Sequence, residues 1–379
     1  MAPTRPGRRL KLNTYVLALQ RRYHQILTGD PAMVAGAVTV PPPAMRGPGG
    51  GGGPVPRQLP PPPAAFVGRE AELIELDALV GPAGATGGTA VVSGCAGVGK
   101  SALAVHRAHR VAVRYPDGQL YVNLRGFDPD GALVSPAEAV RGFLDAFGVP
   151  ARRVPVSLAA QVALYRSLVA GRRVLVLLDN ARDAAQVRYL LPGTATCATV
   201  VTSRNTLDGL VAIDGAAVVP LDLFSEDEAR DFLARRLGAQ RVTREPAAVD
   251  EIANRCARLP VALAVVAARA AVRREFRLAT LAAEMRAGGS LDPFDGREPA
   301  ADVRMVFSWS YRALTPPAAR VFRVVGLHPG PGASTAAVAS LARLPAPAAR
   351  RLLPELARAH LVTERVPDRY VPGNRSRRS

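Results

Sequence analysis

Short apolar runs alternate with longer amphipathic segments along the chain from Phe66 onward. The runs are rich in Val and Leu and do not alternate apolar with polar positions, which is typical of strands buried on both faces. They cover Ala90–Ser93, Gln119–Asn123, Val174–Leu178, Thr199–Thr202 and Ala217–Leu221. The amphipathic segments predict helices over Lys100–Val113, Pro136–Phe147, Leu158–Ala170, Ala184–Leu191 and Glu226–Leu237. This order predicts an α/β fold, a parallel sheet covered by helices, with its ligand at the carboxyl ends of the strands.

The pattern becomes purely helical after the last predicted strand. Helices are predicted over 247–285 and 302–360, and a short hairpin over 361–371. Prolines break these helices, because a proline ring cannot continue a helix that precedes it. The breaks are expected at Pro260, Pro316-Pro317, Pro329–Pro331 and Pro345. Three helices followed by a hairpin suit a winged-helix module.

The segment before the alternating region has a different composition. Asn13–Leu27 predicts one short helix, which cannot bury its apolar face alone. Residues 41–65 are rich in Pro and Gly and predict a linker, part flexible and part polyproline-like. The predicted division is a helical N-terminal part (1–40), the linker (41–65), the α/β domain (66–240), a helical domain (241–300), a winged-helix-like domain (301–371) and a basic tail (372–379).

Composition narrows the class of protein. The 379 residues suffice for two or three domains, and no apolar run is long enough to predict a transmembrane helix. The N-terminus lacks the apolar segment of a secretory signal, and three distant cysteines fit a reducing cytoplasm. A net charge of +18 invites a polyanionic partner. However, almost all the basic residues are arginine, which suggests a coding bias, and the basic ends are compatible with DNA contact or with solvated tails.

A phosphate-binding motif follows the first predicted strand. Residues 94–101 read GCAGVGKS and match the P-loop pattern GxxxxGK[ST], whose backbone N–H groups form an anion site at a helix N-terminus. The chain has only two lysines, Lys11 and Lys100, so the motif lysine stands out from the arginine-rich background. Lys100 is expected to reach the β- and γ-phosphates and Ser101 to bind Mg²⁺. The predicted nucleotide-binding residues of this loop are Gly94, Cys95, Ala96, Gly97, Val98, Gly99, Lys100, Ser101 and Ala102. A chance glycine-rich turn is the alternative.

A second acidic element is expected at the same edge of the sheet. The apolar run that begins at Val174 ends in Asp179, which has the form of a Walker B motif and predicts a second Mg²⁺ ligand. The next residue is Asn180, whose amide cannot act as a general base, so we expect slow hydrolysis. Asp183 could substitute only if the turn brings it back to the site.

Two further groups of residues carry weaker signals. Arg204 follows another strand, where its guanidinium could pair with a γ-phosphate; the alternative is one more surface arginine. Lys100, Asp179 and Arg204 are therefore the predicted catalytic residues. His106 and His109 share one helix face and are interpreted as surface or packing residues rather than metal ligands.

Taken in order, these segments resemble the NB-ARC branch of the STAND P-loop NTPases. The similar strings are FVGRE at 66–70, the P-loop at 94–101, LLDN at 177–180, TSR at 202–204 and LPVAL at 259–263. The strings YVNLRGFDP at 121–129 and FSWSYRAL at 307–314 are similar to those of actinobacterial transcriptional regulators of the SARP/AfsR type. The resemblance covers roughly residues 66–371.

The resemblance carries its own expectations. It implies that Val67 and Arg69 lie near the adenine and ribose, and that Pro260 packs on the base. It also implies ADP held between the nucleotide-binding fold and the helical and winged-helix domains, with exchange for ATP permitting self-association. Relatives of this kind begin with DNA-binding and activation domains, and residues 17–32 resemble the last helix of the activation domain, so the chain is expected to be truncated at both ends. DNA binding is therefore uncertain here.

Three functions remain open at this point. The first is an ATP/ADP-dependent regulatory switch in transcription, with weak ATPase activity at most. The second is an ordinary P-loop ATPase or kinase, which needs a carboxylate base that the sequence does not supply. The third is a DNA-binding fragment that acts through its basic ends and its winged-helix-like module.

Overall fold

The computed structural model describes residues 54–79, 88–127, 133–273, 275–287, 311, 314–326, 328, 332–359 and 361–372. Within these ranges, five parallel strands form one sheet in the order β2-β3-β4-β1-β5. The strands are β1 (Thr89–Gly94), β2 (Gly118–Asn123), β3 (Val174–Ala181), β4 (Ala198–Ser203) and β5 (Ala217–Leu221). All five strands predicted from the sequence are confirmed. The predicted helix Asn13–Leu27 and the basic tail after residue 372 lie outside the described residues.

Helices connect the strands and continue after the sheet. Those of the sheet region are α1 (Glu70–Leu79), α2 (Lys100–Val111), α3 (Pro136–Ala146), α4 (Leu158–Val169), α5 (Ala184–Arg188), α6 (Asp208–Asp214) and α7 (Glu226–Leu237). Beyond it follow α8 (Ala239–Arg244), α9 (Pro246–Arg255), α10 (Pro260–Val272), α11 (Leu278–Ala287), α12 (Pro316–Gly326), α13 (Thr335–Ala342) and α14 (Ala346–Arg358). Two short 3₁₀ turns lie at Ala112–Arg114 and Ala151–Arg153. The described helices include none long and apolar enough to cross a membrane.

The sheet is buried on both faces, as its uninterrupted apolar strands predict. Ala90 and Val92 of β1 belong to one hydrophobic core, whereas Val91 belongs to the other. Leu175 and Leu177, which are two residues apart in β3, both face the first core. Because successive side chains of a strand point to opposite faces, this pattern places helices on both sides of the sheet.

Proline placement explains where several helices begin. Pro260 and Pro316 occupy the first turn of α10 and α12, where the missing N–H has no helical partner to lose. Pro345 precedes α14 directly. These three predicted breaks are therefore helix starts, and the fourth, Pro329–Pro331, lies outside the described residues. Helix α1 was not predicted, because its short sequence does not show a clear apolar stripe.

The predicted linker differs from the structure in its final part. Residues 54–65 run along the edge of the sheet instead of standing clear of it. Arg57 bridges Gln119 in parallel, and the Gln119 N–H donates to the carbonyl of Pro56 at 2.9 Å. At the far end the ring of Phe66 stacks on His106 of α2, with centroids 4.0 Å apart. We call residues 54–66 the N-terminal strap.

The helices after the sheet belong to two different hydrophobic cores. Helices α9 and α10 contribute Ile252 and Leu263 to the first sheet core, so residues predicted to start a separate helical domain share the core of the sheet. Helices α12 to α14 have a core of their own, which they share with β6 (Val362–Val366) and β7 (Arg369–Pro372). These two strands pair antiparallel and confirm the predicted hairpin.

Candidate phosphate-binding site

The turn between β1 and α2 has the strand–turn–helix context that a P-loop requires. Strand β1 ends at Gly94 and the twelve-residue helix α2 begins at Lys100. A Cβ atom at Gly94 would lie 2.5 Å from the carbonyl oxygen of Leu221, so only glycine fits there. Gly97 and Gly99 have positive φ values of 79° and 99°, which a side chain would strain. The turn therefore closes tightly in front of the N–H groups of α2.

The lysine of the motif folds back over its own loop. The Lys100 Nζ donates to the carbonyl oxygens of Gly94 at 2.8 Å and Cys95 at 2.7 Å. Burial, and after it the positive charge of Arg204, lowers the pKa of Lys100 to about 7. A bound anion would oppose both effects, because it favours the charged ammonium. The loop thus holds a desolvated cation suited to phosphate.

Asp179 is the centre of a hydroxyl network beside the P-loop. Its Oδ1 accepts hydrogen bonds from the hydroxyls of Ser101 at 2.6 Å and Thr202 at 2.5 Å. Its Oδ2 lies 3.5 Å from the hydroxyl of Tyr121. The two predicted Mg²⁺ ligands, Ser101 and Asp179, therefore lie in direct contact. A hydroxyl and a carboxylate are oxygen donors of the kind that Mg²⁺ takes when it keeps several waters, so the residues fit the ion.

The residue after Asp179 is held in an unusual conformation. Asn180 has a φ of 59°, and its N–H donates to the Thr202 hydroxyl at 2.9 Å. No carboxylate follows Asp179 in the strand. Asp183 is exposed and accepts the Gln186 N–H at 2.9 Å as the N-cap of α5. Its carboxylate is thus used at a helix end and does not return to the P-loop.

Arg204 emerges from the end of β4 beside the same turn. Its guanidinium lies over the ring of Phe127, with 5.0 Å between its central carbon and the ring centroid. Burial lowers the pKa of Arg204 to about 10. Its charge is also one of the influences on Lys100, which places the two cations near each other. Positive charge therefore reaches the P-loop from the start of α2 and from the end of β4.

Arg69 braces the P-loop from the other side. The side chain is only 4% exposed, and its NH2 group donates to the carbonyl oxygens of Val98 at 3.4 Å and Asp222 at 2.7 Å. The guanidinium also pairs with Glu72 at 3.1 Å and lies over the ring of Phe224. These contacts account for its burial. Its position near an adenine or ribose stays a prediction.

The other two residues expected near the nucleoside are Val67 and Pro260. Val67 is buried in the first sheet core. Pro260 begins α10, and the N–H of the next residue, Val261, donates to the carbonyl oxygen of Gly97 at 3.1 Å. The start of α10 thus contacts the P-loop directly. Contact of Val67 or Pro260 with a base stays a prediction.

Sequence reasoning missed three contributors to the site. Thr202 was noticed only as part of a motif, and its polar side chain at the end of an apolar strand was a usable signal. Tyr121 and Phe127 gave no signal of their own, because their place depends on how β2 packs beside β3. Both histidines of α2 contact the N-terminal strap: His109 contacts the carbonyl oxygen of Pro60 at 2.7 Å, and the ring of His106 stacks on Phe66.

Comparison with known proteins gives relatives in sequence and in fold. The regulatory protein AfsR of Streptomyces coelicolor is 40% identical over 354 residues, which cover 93% of this chain and 35% of the relative. AfsR of Streptomyces griseus is 41% identical over 308 residues, which cover 80% of this chain and 31% of the relative. The chain thus spans about a third of the length of these relatives.

A solved structure of similar fold is the Walker-type ATPase PABY2304 of Pyrococcus abyssi. Its TM-score is 0.55 at 15% identity, over 81% of this chain and 93% of the other. At that identity the likeness concerns the fold alone. No family model matches the chain.

Proposed function

The chain is homologous to AfsR regulatory proteins along most of its length and has a P-loop NTPase fold, and from this premise we propose that it is an ATP/ADP-binding regulatory switch. The switch is of the NB-ARC/STAND type and acts in the control of transcription, in the cytoplasm, as part of the kind of regulator to which the chain is similar. ATP and ADP are its ligands, with Mg²⁺.

One observation carries the proposal. The hydroxyl of Ser101 at the start of α2 bonds the carboxylate of Asp179 at 2.6 Å, directly beside the buried ammonium of Lys100. A hydroxyl, a carboxylate and a lysine arranged at the mouth of a glycine turn form the set that binds a polyphosphate with a divalent cation.

Each residue has a part in the proposed site. The N–H groups of 94–102 and the Lys100 ammonium hold the phosphates, and Ser101 and Asp179 would hold Mg²⁺, which neutralises phosphate charge when bound. Arg204 pairs with the terminal phosphate of ATP. The nucleoside lies against Val67, Arg69 and Pro260, on the side of the P-loop where α10 begins.

The switch follows from a difference in contacts. ATP and ADP can favour different arrangements of the helical part and of the unit formed by α12 to β7, which we propose to be a winged-helix domain, only as strongly as their contacts differ. A charge-assisted contact from Arg204 to the terminal phosphate, worth about 1.5–3 kcal/mol, supplies a roughly ten- to hundredfold preference. The ATP-bound arrangement is proposed to permit self-association.

Slow turnover is part of the proposal. Asn180 follows Asp179, and Asp183 is engaged at the N-cap of α5, so neither supplies a base to activate water. We expect steady-state ATP turnover well below ~1 s⁻¹, the lower end of the usual enzyme range. Turnover above that rate would favour the alternative of an ordinary P-loop ATPase or kinase.

The proposal is tested by nucleotide binding in a pair of lysine variants. Purified protein is denatured and any released nucleotide identified by chromatography, and ADP and ATP affinities are measured by calorimetry. Lys100→Ala should lose at least about tenfold in affinity for both nucleotides, because it removes a charge-assisted contact. The only other lysine supplies the matched control, since Lys11→Ala makes the same substitution outside the motif.

The outcomes separate clearly. Nucleotide release from the wild-type protein and from Lys11→Ala, with loss in Lys100→Ala, supports the switch. Equal behaviour of Lys100→Ala and the wild type, or no nucleotide binding at all, removes the proposal.

A further inference from the structure

The segment that carries Phe127 is fastened to the strand that carries Asp179. After β2, the N–H of Leu124 donates to the carbonyl oxygen of Asp179 at 2.8 Å, and the N–H of Gly126 donates to that of Asn180 at 2.7 Å. A Cβ atom at Gly126 would lie 2.4 Å from the backbone nitrogen of Arg182, so the segment lies directly on the strand end. Phe127 is therefore held in place by the end of β3.

Arg204 contacts this ring while it faces the P-loop. The guanidinium carbon lies 5.0 Å from the Phe127 centroid, and the charge of Arg204 acts on both Cys95 and Lys100 of the loop. The ring therefore does not hold the arginine away from the phosphate side. An aromatic ring contacts the flat face of a guanidinium, whereas phosphate oxygens pair with its N–H edge, so the two contacts are compatible.

A ring has one advantage over a carboxylate as a support for this arginine. A carboxylate would neutralise the guanidinium and compete for the N–H groups that a phosphate needs. A ring orients the cation and adds no negative charge of its own. Arg204 follows the central strand β4, and Phe127 follows the edge strand β2, with β3 between them. The contact therefore spans the carboxyl edge of the sheet above Asp179.

We infer that Phe127 is the positioning residue that sets the preference of Arg204 for a nucleoside triphosphate over a diphosphate. This inference rests on the proposed nucleotide-binding function and deepens it. In this proposal Phe127 acts through Arg204 alone and makes no contact with the nucleotide. Its ring reduces the rotameric freedom that the arginine would lose on pairing with the terminal phosphate.

The test is a double-mutant cycle on the full chain with two ligands. ADP and a non-hydrolysable ATP analogue are titrated, with Mg²⁺, into the wild type, Phe127→Leu, Phe127→Met, Phe127→Tyr, Arg204→Ala and Phe127→Leu/Arg204→Ala. Phe127→Met keeps side-chain volume without an aromatic face, and Phe127→Tyr keeps the face. Using both Leu and Met keeps the test valid if one of them folds poorly.

We expect Phe127→Leu and Phe127→Met to weaken binding of the triphosphate analogue about 3- to 10-fold and to change ADP binding by less than about twofold. Phe127→Tyr should retain the wild-type preference. In the Arg204→Ala background the Leu substitution should cause no further loss, because the residues act as one unit.

Three results would overturn the inference. They are equal weakening of both ligands, a gain in triphosphate affinity, and a full effect of the Leu substitution when Arg204 is already absent. Failure of the wild type to bind ADP would instead remove the proposed function, so the two failures are distinguishable.

Discussion

The two sides of the P-loop are held by different kinds of contact. Toward β5 and α10, carbonyl oxygens of the loop accept hydrogen bonds from the rest of the fold: Gly97 from the Val261 N–H, and Val98 from the Arg69 guanidinium. Toward β4 and β3, side-chain hydroxyls meet one carboxylate, that of Asp179. We call these the backbone side and the hydroxyl side.

The difference suggests a division of labour. Bonds on the backbone side join the loop to other elements of the fold. On the hydroxyl side, a metal ion could take the place of the hydrogen bond between a hydroxyl and a carboxylate, because both groups are oxygen ligands. Substitutions on the backbone side should therefore reduce stability or the support that the loop gives to a nucleotide, and those on the hydroxyl side should change the response to Mg²⁺.

The largest expected effect tests the backbone side. Arg69→Met should lower the free energy of unfolding by about 3 kcal/mol, because it removes a buried guanidinium from two carbonyl oxygens and leaves the half-buried carboxylates of Glu72 and Glu228 without their cation. Chemical denaturation followed by circular dichroism measures the change. Arg230→Met is the matched control, since Arg230 makes two surface ion pairs, with Asp227 and Asp250, that should contribute about 1 kcal/mol or less. Equal losses of unfolding free energy in the two variants would mean that Arg69 stabilises the fold no more than a surface arginine does.

The second prediction concerns the hydroxyl side. Asp179→Asn should reduce the gain in ATP affinity that Mg²⁺ provides by about tenfold, because an amide is a weaker metal ligand than a carboxylate. Titrations with Mg²⁺ and with a chelator measure this gain. Asp183→Asn makes the same change at a nearby helix cap, where asparagine serves equally well, and should leave the gain unchanged. If Mg²⁺ raised the ATP affinity of Asp179→Asn as much as that of the wild type, the hydroxyl side would not be the site of the metal response.

A smaller effect is expected where α10 contacts the loop. Val261→Pro deletes the N–H that bonds Gly97 and should weaken ADP binding about fivefold, the equivalent of one neutral hydrogen bond. The chain itself shows that paired prolines can start a helix, at Pro316-Pro317. Val261→Ala keeps the N–H, so ADP binding by the two variants should differ; similar affinities would mean that this bond does not support the loop.

The smallest effect belongs to the longest contact. The Tyr121 hydroxyl lies 3.5 Å from Asp179 Oδ2, at the limit of a hydrogen bond. Tyr121→Phe should therefore change Mg²⁺-dependent ATP affinity by less than about twofold, as measured in the same titrations. A change comparable to that in Asp179→Asn would mean that the Tyr121 hydroxyl is as important to the hydroxyl side as Asp179.

The sequence predicted the parts of the site that local patterns determine. The five strands, the glycine turn and the acid at the end of β3 are all readable within a few residues, because strand burial and loop chemistry are local properties. The network around Asp179 is not local. Strand β4 lies between β1 and β3, and only this order places Thr202 beside both Ser101 and Asp179, so no single segment reveals the contact.

The contacts of the backbone side could not be predicted from the sequence for a related reason. A buried arginine is rare without partners, and Arg69 finds two of its partners, Asp222 and Glu228, on segments more than a hundred residues away. The N-terminal strap is similar: its Pro-rich composition predicts an extended chain but does not predict what that chain lies against.

The strap has a consequence for how copies of this protein behave toward one another. Strand β2 is the border of the sheet, and the N–H groups of Gln119 and Tyr121 that point away from β3 are taken by Pro56 and by the side chain of Gln58. An uncovered border is a template on which a foreign strand can grow. Pro54 and Pro56 have no N–H to offer in turn. This Pro-containing segment thus covers the edge strand of the sheet and discourages aggregation.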